Sequence, residues 1–334
     1  MSQYFDQKNL FVEPKVTQYG SHMVMTDVAK PTKTKYVTID TRFRDQYDYK
    51  AIANYNITLP ERITNVRSMT ARSIQIPISY YNISSQSGNN SFKLINISAS
   101  TSSSIISKTV VIPGKQYNLV TETTAPWSSG SLIDNINVEL GSSGWNSYSN
   151  VQFQYDSSTK KISINNNASV NIRVLFDQAD CIDGFGGSSP SEDLMSKMGW
   201  LMGFRLSQYD IPAGGSIRGE AVVDLNGPKY LYLIIDEFKN GNPHSFIGLS
   251  RNSQISSQQI LARIVPNYTK YNISATDFPT LYQVEIGDEM VSDKRTYGEL
   301  INLQRMNIRV VDEFGRIMDF NGLDFSVCLE LEHV

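Results

Sequence analysis

Apolar and polar residues alternate most regularly near the C-terminal end of the chain. Leu323, Phe325, Val327, Leu329 and Leu331 fall on one side, and Asp324, Ser326, Cys328, Glu330 and Glu332 on the other. Alternation sustained this long predicts a strand with one buried face. Asn321-Gly322, just before it, tolerates positive φ and predicts a hairpin turn. A second turn is predicted at Asp312–Arg316, around Gly315, between Ile308–Val311 and Ile317–Phe320. The C-terminal part therefore reads as a β-meander. Nearer the start, Val37 and Ile39 alternate, as do Tyr55, Ile57 and Leu59, a run that Pro60 is expected to stop. Ile74, Ile76 and Ile78 follow with Pro77 among them, which marks an edge or a strand changing sheets.

Between about Ser84 and Asp180 the chain turns rich in Ser and Asn and poor in charge. Strand patterns persist there: Phe92 with Leu94, Val110 with Ile112, Ile136 with Val138, Val151 with Phe153 and Tyr155, Ile162 with Ile164, and Ile172 with Val174 and Phe176. Asp156 to Lys160 forms the turn of one hairpin. One short helix is predicted from Ser189, with Pro190 at its first position, Glu192 completing a capping box, and Gly199 ending it. The pattern predicts an all-β chain, an antiparallel β-sandwich with an inserted second β-module. The expected divisions are an extended N-terminal arm over 1–35, a split sandwich over 36–85 and 206–334, and the insert over 86–205.

The arm has neither helical nor strand period. Its large apolar residues make it too apolar for a solvated linker, so it is expected to lie along a neighbouring subunit. Tyr4, Phe5, Phe11 and Tyr19 are the contacts it offers. Trp127 and Trp145, in Ser/Gly-rich loops, are further candidates, as is the Tyr80-Tyr81 pair.

Composition removes several function classes. The chain has 334 residues, is 40% hydrophobic and carries a net charge of −3. Its Lys and Arg are scattered, whereas duplex binding needs them clustered, so no direct nucleic-acid contact is expected. The N-terminus lacks the apolar core of a signal peptide, and Tyr230 to Ile235 is too short to cross a bilayer. Cys181 and Cys328 lack metal-type spacing, and Cys328, on the polar side of its strand, is expected to be a free thiol. The seven N-x-S/T sequons follow from the Asn/Ser content.

Candidate chemistry is thin. His22, His244 and His333 lie far apart in sequence, and nothing local supplies an orienting group for a base. Asp40-Thr41-Arg42 differs from the aspartic-protease triplet by arginine in place of glycine, and the expectation is a charged pair of Asp40 with Arg42 or Arg44. Gly184-Phe185-Gly186-Gly187 has no strand before it or helix directly after it, as a phosphate loop would. The acidic pairs Asp236-Glu237, Asp288-Glu289 and Asp312-Glu313 could serve glycoside hydrolysis. Neighbouring carboxylates on a strand point apart, so these read as solvated edges. No catalytic, metal-binding or cofactor residues are expected.

The order of certain segments adds a resemblance. Thr38-Ile39-Asp40-Thr41-Arg42-Phe43-Arg44-Asp45 is followed by Ser73-Ile74-Gln75-Ile76-Pro77-Ile78-Ser79-Tyr80-Tyr81-Asn82-Ile83, Val111-Ile112-Pro113-Gly114, and Gly199-Trp200-Leu201-Met202-Gly203-Phe204-Arg205. Pro228-Lys229-Tyr230-Leu231-Tyr232-Leu233-Ile234-Ile235-Asp236-Glu237-Phe238 and the stretch from Val311-Asp312-Glu313-Phe314-Gly315-Arg316 to Asn321-Gly322-Leu323-Asp324-Phe325 close the series. Over residues 36–334 this resembles the minor capsid proteins of nucleocytoplasmic large DNA viruses, the group that includes phycodnaviruses and mimiviruses. The resemblance implies a jelly-roll-like sandwich that cements or links major capsid capsomers. It implies no cofactor. The implied partners are the major capsid protein and other minor capsid proteins, with self-association and proximity to an inner viral membrane also in view. The implied location is the virion capsid, assembled in host cytoplasm. The competing readings are a carbohydrate-binding attachment module, carried by Trp127 and Trp145, and a β-sandwich hydrolase, for which no convergent carboxylates can be named.

Overall fold

The structure, a computed structural model, describes residues 17–19, 23–25, 31–45, 47–48, 52–98, 107–119, 131–142, 150–176, 194–238, 259–266, 282–285, 290–292 and 294–334. Its elements run β1 Thr17–Tyr19, β2 Met23–Met25, β3 Lys33–Asp40, β4 Asn54–Pro77, β5 Ser91–Asn96, β6 Ser107–Val111, α1 Leu132–Ser142, β7 Val151–Asp156, β8 Lys161–Asn166 and β9 Ile172–Leu175. They continue with α2 Met198–Leu201, β10 Gln208–Ile211, β11 Ser216–Arg218, β12 Leu231–Asp236, β13 Ile260–Ile264, β14 Tyr282–Glu285, β15 Met290–Ser292, β16 Arg295–Asp312 and β17 Ser326–His333. The all-β class expected from the alternation holds.

One large sheet has the order β15-β13-β12-β16-β4-β17-β3, and every pairing in it is antiparallel. The long strand β4 organises it. β17 follows one edge of β4 from Val66 to Gln75, while β16 and then β14 take the other edge. The sheet curls over its own inner face. At the seam the Ala71 amide donates to Ser292 Oγ at 3.1 Å, which brings β15 back to β4. The core enclosed by the curl runs from Ile39 to Tyr80 and from Leu231 to Leu331. Phe325, Val327, Leu329 and Leu331 all point into it, as the alternation predicts, whereas Leu323, expected on the same face, is half-buried and precedes the strand, which starts at Ser326. Asn321 and Gly322 both take positive φ, 50° and 79°, at a turn, but it closes no hairpin. Residues 317–320 are not a strand, and β17 pairs with β3 and β4, so the expected C-terminal meander is not formed.

A second core draws on Ile83 to Ile211. It lies among the four-stranded sheet β10-β9-β5-β6, the three-stranded sheet β11-β8-β7, and α1, which packs on β7 and β6. Its centre is aromatic: Phe92 stands 5.3 Å from Phe153, and Phe176 stacks on Phe204 at 5.1 Å. β10 and β11 pair with β9 and β8, so the chain rejoins the first core at Leu231 rather than at residue 206.

Several local expectations are corrected. Ile136 and Val138 are not in a strand. The Ser131 hydroxyl accepts from the Asp134 amide at 3.1 Å while Asp134 accepts from the Ser131 amide at 3.0 Å, a reciprocal cap that starts α1. Leu132, Ile136 and Leu140, four apart, are buried, whereas Val138 is exposed. Asn137 bonds the backbone of Phe153 in both directions at 2.9 Å and so fastens the helix to β7. Pro60 does not end its strand, because β4 shifts register between Thr58 and Ile63, where a missing N–H costs no ladder bond. Gly199 sits inside α2, and a Cβ there would fall 2.3 Å from Phe176 Cγ. The capping box at Ser189 lies outside the described residues, as does the glycine-rich run at 184–187. Where the arm shows no strand period, β1 and β2 pair as a separate two-stranded sheet, and β3 begins at Lys33.

The solvated-edge expectation also fails for two acids. Glu237 and Asp312 are buried. Glu237 Oε1 accepts from Arg295 and from the Tyr297 hydroxyl, each at 2.5 Å, and Asp312 pairs with Arg316 at 2.7 Å. Buried carboxylates persist when partnered. Asp312 finds its partner four residues on within the same turn, whereas the partner of Glu237 arrives from β16, which a local pattern does not connect. The Asp312–Arg316 turn itself is present, with Gly315 at φ 81°.

Candidate interaction surface

The chain leaves β3 through the Asp40-Thr41-Arg42-Phe43-Arg44 run, and this run forms a rigid knuckle. Asp40 caps a 3₁₀ turn over Thr41–Phe43, accepting from the Arg42 amide at 2.9 Å and pairing with its guanidinium at 2.6 Å. Those hydrogen bonds from Arg42 hold the Asp40 carboxyl below the usual carboxylate range. Thr41 is fully buried. Its amide donates to Phe325 O at 3.0 Å, and its hydroxyl donates to Asp324 Oδ1 at 2.7 Å while accepting from the Phe325 amide at 3.0 Å.

Arg44 turns inward, with its side chain 1% exposed. It donates to Thr41 O at 2.9 Å and to Asp48 O, and its guanidinium lies 4.3 Å from the centre of the Tyr47 ring. Phe43 is thereby pushed outward to 77% exposure, flanked by the Arg42 guanidinium at 5.5 Å, and Tyr47 is 54% exposed. An aromatic ring on a turn already fixed loses little conformational freedom when a partner covers it. Phe, Tyr and Arg are the residue types that anchor protein interfaces. The arrangement suits adhesion rather than bond-making.

The expected Asp40–Arg42 pair is present, while Arg44 serves Asp324 across the sheet at 3.4 Å. The exposure of Phe43 was not foreseen. The available signal was an aromatic residue between two arginines directly after a strand end. Of the predicted contacts, Tyr4, Phe5, Phe11, Trp127 and Trp145 lie outside the described residues, and Tyr19 is placed in β1 by its backbone. Tyr80 is buried and Tyr81 is 39% exposed. Among the described residues no three of His, Cys, Asp and Glu cluster, so Asp236-Glu237 and Asp312-Glu313 form no joint acidic site of that kind. Cys328 is a free thiol on the outer face of β17, while Cys181, His22, His244 and Asp288-Glu289 lie outside the described residues. Among the described residues no cluster of His, Cys, Asp and Glu is placed to hold a metal ion, and no helix is long and apolar enough to cross a membrane.

These features define an all-β protein of curled antiparallel sheets that presents ordered aromatic surface. No protein-family model matches the sequence, and no curated protein does. Among solved structures the chain is similar to the mavirus penton protein, with TM-score 0.41 and 13% identity over 91% of this chain and 100% of that chain. It is also similar to a chain of the Sputnik virophage structure, with TM-score 0.39 and 17% identity over 90% and 98%. Neither likeness is close enough to transfer a role to individual residues.

Proposed function

We propose that the chain is a structural, non-enzymatic component of a viral shell, a minor capsid protein that joins capsomers in a large icosahedral DNA virus. The observation that carries this reading is the knuckle, where a buried Thr41–Asp324–Arg44 network holds Phe43 in solvent. The resemblance of residues 36–334 to minor capsid proteins of such viruses, and the all-β architecture, support it. Its partners are the major capsid protein and other minor capsid proteins, and its location is the virion, assembled in host cytoplasm.

The test is co-sedimentation with capsomers of the major capsid protein. Phe43→Ala should change folding stability by no more than about 0.5 kcal/mol, because the ring is largely exposed. It should weaken association by about 2 kcal/mol or more, the loss expected for an anchor residue. Unchanged co-sedimentation would remove the knuckle from the interface.

The N-terminal segment is proposed as a second tether. A chain lacking residues 1–30 keeps β3 whole and should unfold at the same temperature as the full chain, yet fail to enter shells. If instead the truncated monomer loses several kcal/mol, the segment belongs to its own fold.

A further inference from the structure

The chain passes from the larger module into the inserted one after β4 and returns before β12. We propose that these two passages form a hinge, about which the inserted module turns against the larger one, with Arg316 as the catch that holds them closed. The hinge follows from the fold and does not depend on the capsid reading. The two modules have separate cores, one drawing on residues up to Tyr80 and again from Leu231, the other on Ile83 to Ile211. Among the described residues no sheet contains strands of both. Modules that share neither a core nor a sheet are expected to move relative to each other.

The first passage is anchored on both sides of one residue. The Ser79 hydroxyl donates to Phe320 O at 2.6 Å, and the buried Tyr80 ring lies 6.5 Å from that of Phe320, so both belong to the larger module. Asn82 is fastened to the insert. Its side-chain nitrogen donates to Tyr117 O at 2.8 Å and to Leu225 O at 3.0 Å, and its side-chain oxygen accepts from the Tyr117 amide at 2.9 Å. Tyr81 stands between the two anchors, exposed. The second passage runs from Leu225, packed on the second core, to Leu231 in the first. Gly227, at φ 81°, and Pro228 form its middle. The bond from Asn82 to Leu225 O ties the two passages together on the insert side, so they bend as one. Rotation about a few backbone bonds at Tyr81 and Gly227 turns the insert without disturbing either core.

The catch lies in the turn after β16. Arg316 donates to Ser87 O of the insert at 2.6 Å while holding Asp312 of its own module at 2.7 Å. Tyr81 and Gly227 line the same cavity as Ser87 and Arg316, so hinge and catch bound one cleft of about 80 Å³. Met195 and Leu201 stand on its insert side, and Phe314, Ile317 and Met318 on the other. Walls facing a void forgo the interdigitation that would lock them together. The ion pair of Lys229 with Asp224 also spans the second passage, but it is exposed and contributes little. On opening, water replaces the bond from Arg316 to Ser87 O, so the net cost is modest and the open state is populated on the order of 1%. Such a hinge lets one chain present its two modules at different angles to different neighbours.

Methyl relaxation dispersion on the full chain carrying ¹³C-methyl methionine reads the motion. Met195 and Met318 stand on opposite walls of the cleft, Met69 and Met306 lie in the first core, and Met198 and Met202 in the second. In the unmutated chain Met195 and Met318 should exchange on the microsecond-to-millisecond scale, with one shared rate and one open population. The core methionines should stay quiet. Arg316→Ala should raise the open population about ten-fold. Spin labels at Val138→Cys and Leu300→Cys, an exposed site on each module, with Cys181→Ser and Cys328→Ser, should give a second inter-module distance that gains weight in the Arg316→Ala chain. Absence of exchange at Met195 and Met318 in the unmutated chain would overturn the proposal, and so would different rates at the two. Exchange shared with the core methionines would show unfolding in place of rotation and overturn it as well. A label distance that a folded Arg316→Ala chain leaves unchanged would do the same.

Discussion

Arg295→Met should destabilise the larger module by about 3–5 kcal/mol, the cost of leaving a buried charge without its partner. The Arg295 side chain is 2% exposed and that of Glu237 is 0% exposed. Arg295 also donates to Ile235 O and to Gln259 O, each at 2.8 Å, so it pins the end of β12 and the approach to β13 from the start of β16. Tyr297 completes the network through its bond to Glu237, and burial drives its hydroxyl pKa far upward. Methionine fills part of the volume but offers Glu237 nothing. The double variant Arg295→Met with Glu237→Leu removes both charges and should recover most of the loss, since a buried pair contributes little net stability over apolar residues of similar size. Urea unfolding of the four proteins of this cycle measures both quantities. A single variant within 1 kcal/mol of the parent would show that Glu237 finds another partner or a proton without cost.

Gly203→Ala should cost about 2–5 kcal/mol, combining strain at positive φ with a backbone collision. Gly203 has φ 96°, and a Cβ built on it would fall 2.2 Å from Ala221 O. The two backbones cannot simply part, because the Ala221 amide donates to Gly203 O at 2.9 Å. Gly214→Ala is the control. Its φ of 70° brings comparable strain, but nothing lies within 4 Å of the added methyl, so it should cost only about 1–2 kcal/mol. We further propose that the inserted module folds as its own unit. Amide exchange in Gly203→Ala should then quicken in β5, β8 and β9, while β4, β16 and β17 keep their protection. Uniform quickening across both modules would mean that they unfold together.

Particular residues show where sequence reading succeeds. The β17 alternation was legible because side-chain direction in a strand follows from the backbone alone, and one buried face imposes period two. Asn321-Gly322 was legible because positive φ is a property of those two residues. The start of α1 was legible in principle from Ser131 and Asp134, but two apolar residues two apart mimic a strand. Only the burial of Leu132, Ile136 and Leu140 together separates the periods.

The candidate surfaces lay beyond such signals. Phe43 is exposed because Thr41 is locked to Asp324 and Phe325, which the chain reaches only after both modules are made. Glu237 is buried because Arg295 arrives beside it. Each outcome depends on which side chains meet across strands distant in sequence. Strand period and turn chemistry are local energies, carried by a few neighbouring residues. Pairing register, and the competition among charged groups for partners, are settled only when the sheet has curled and water has been excluded.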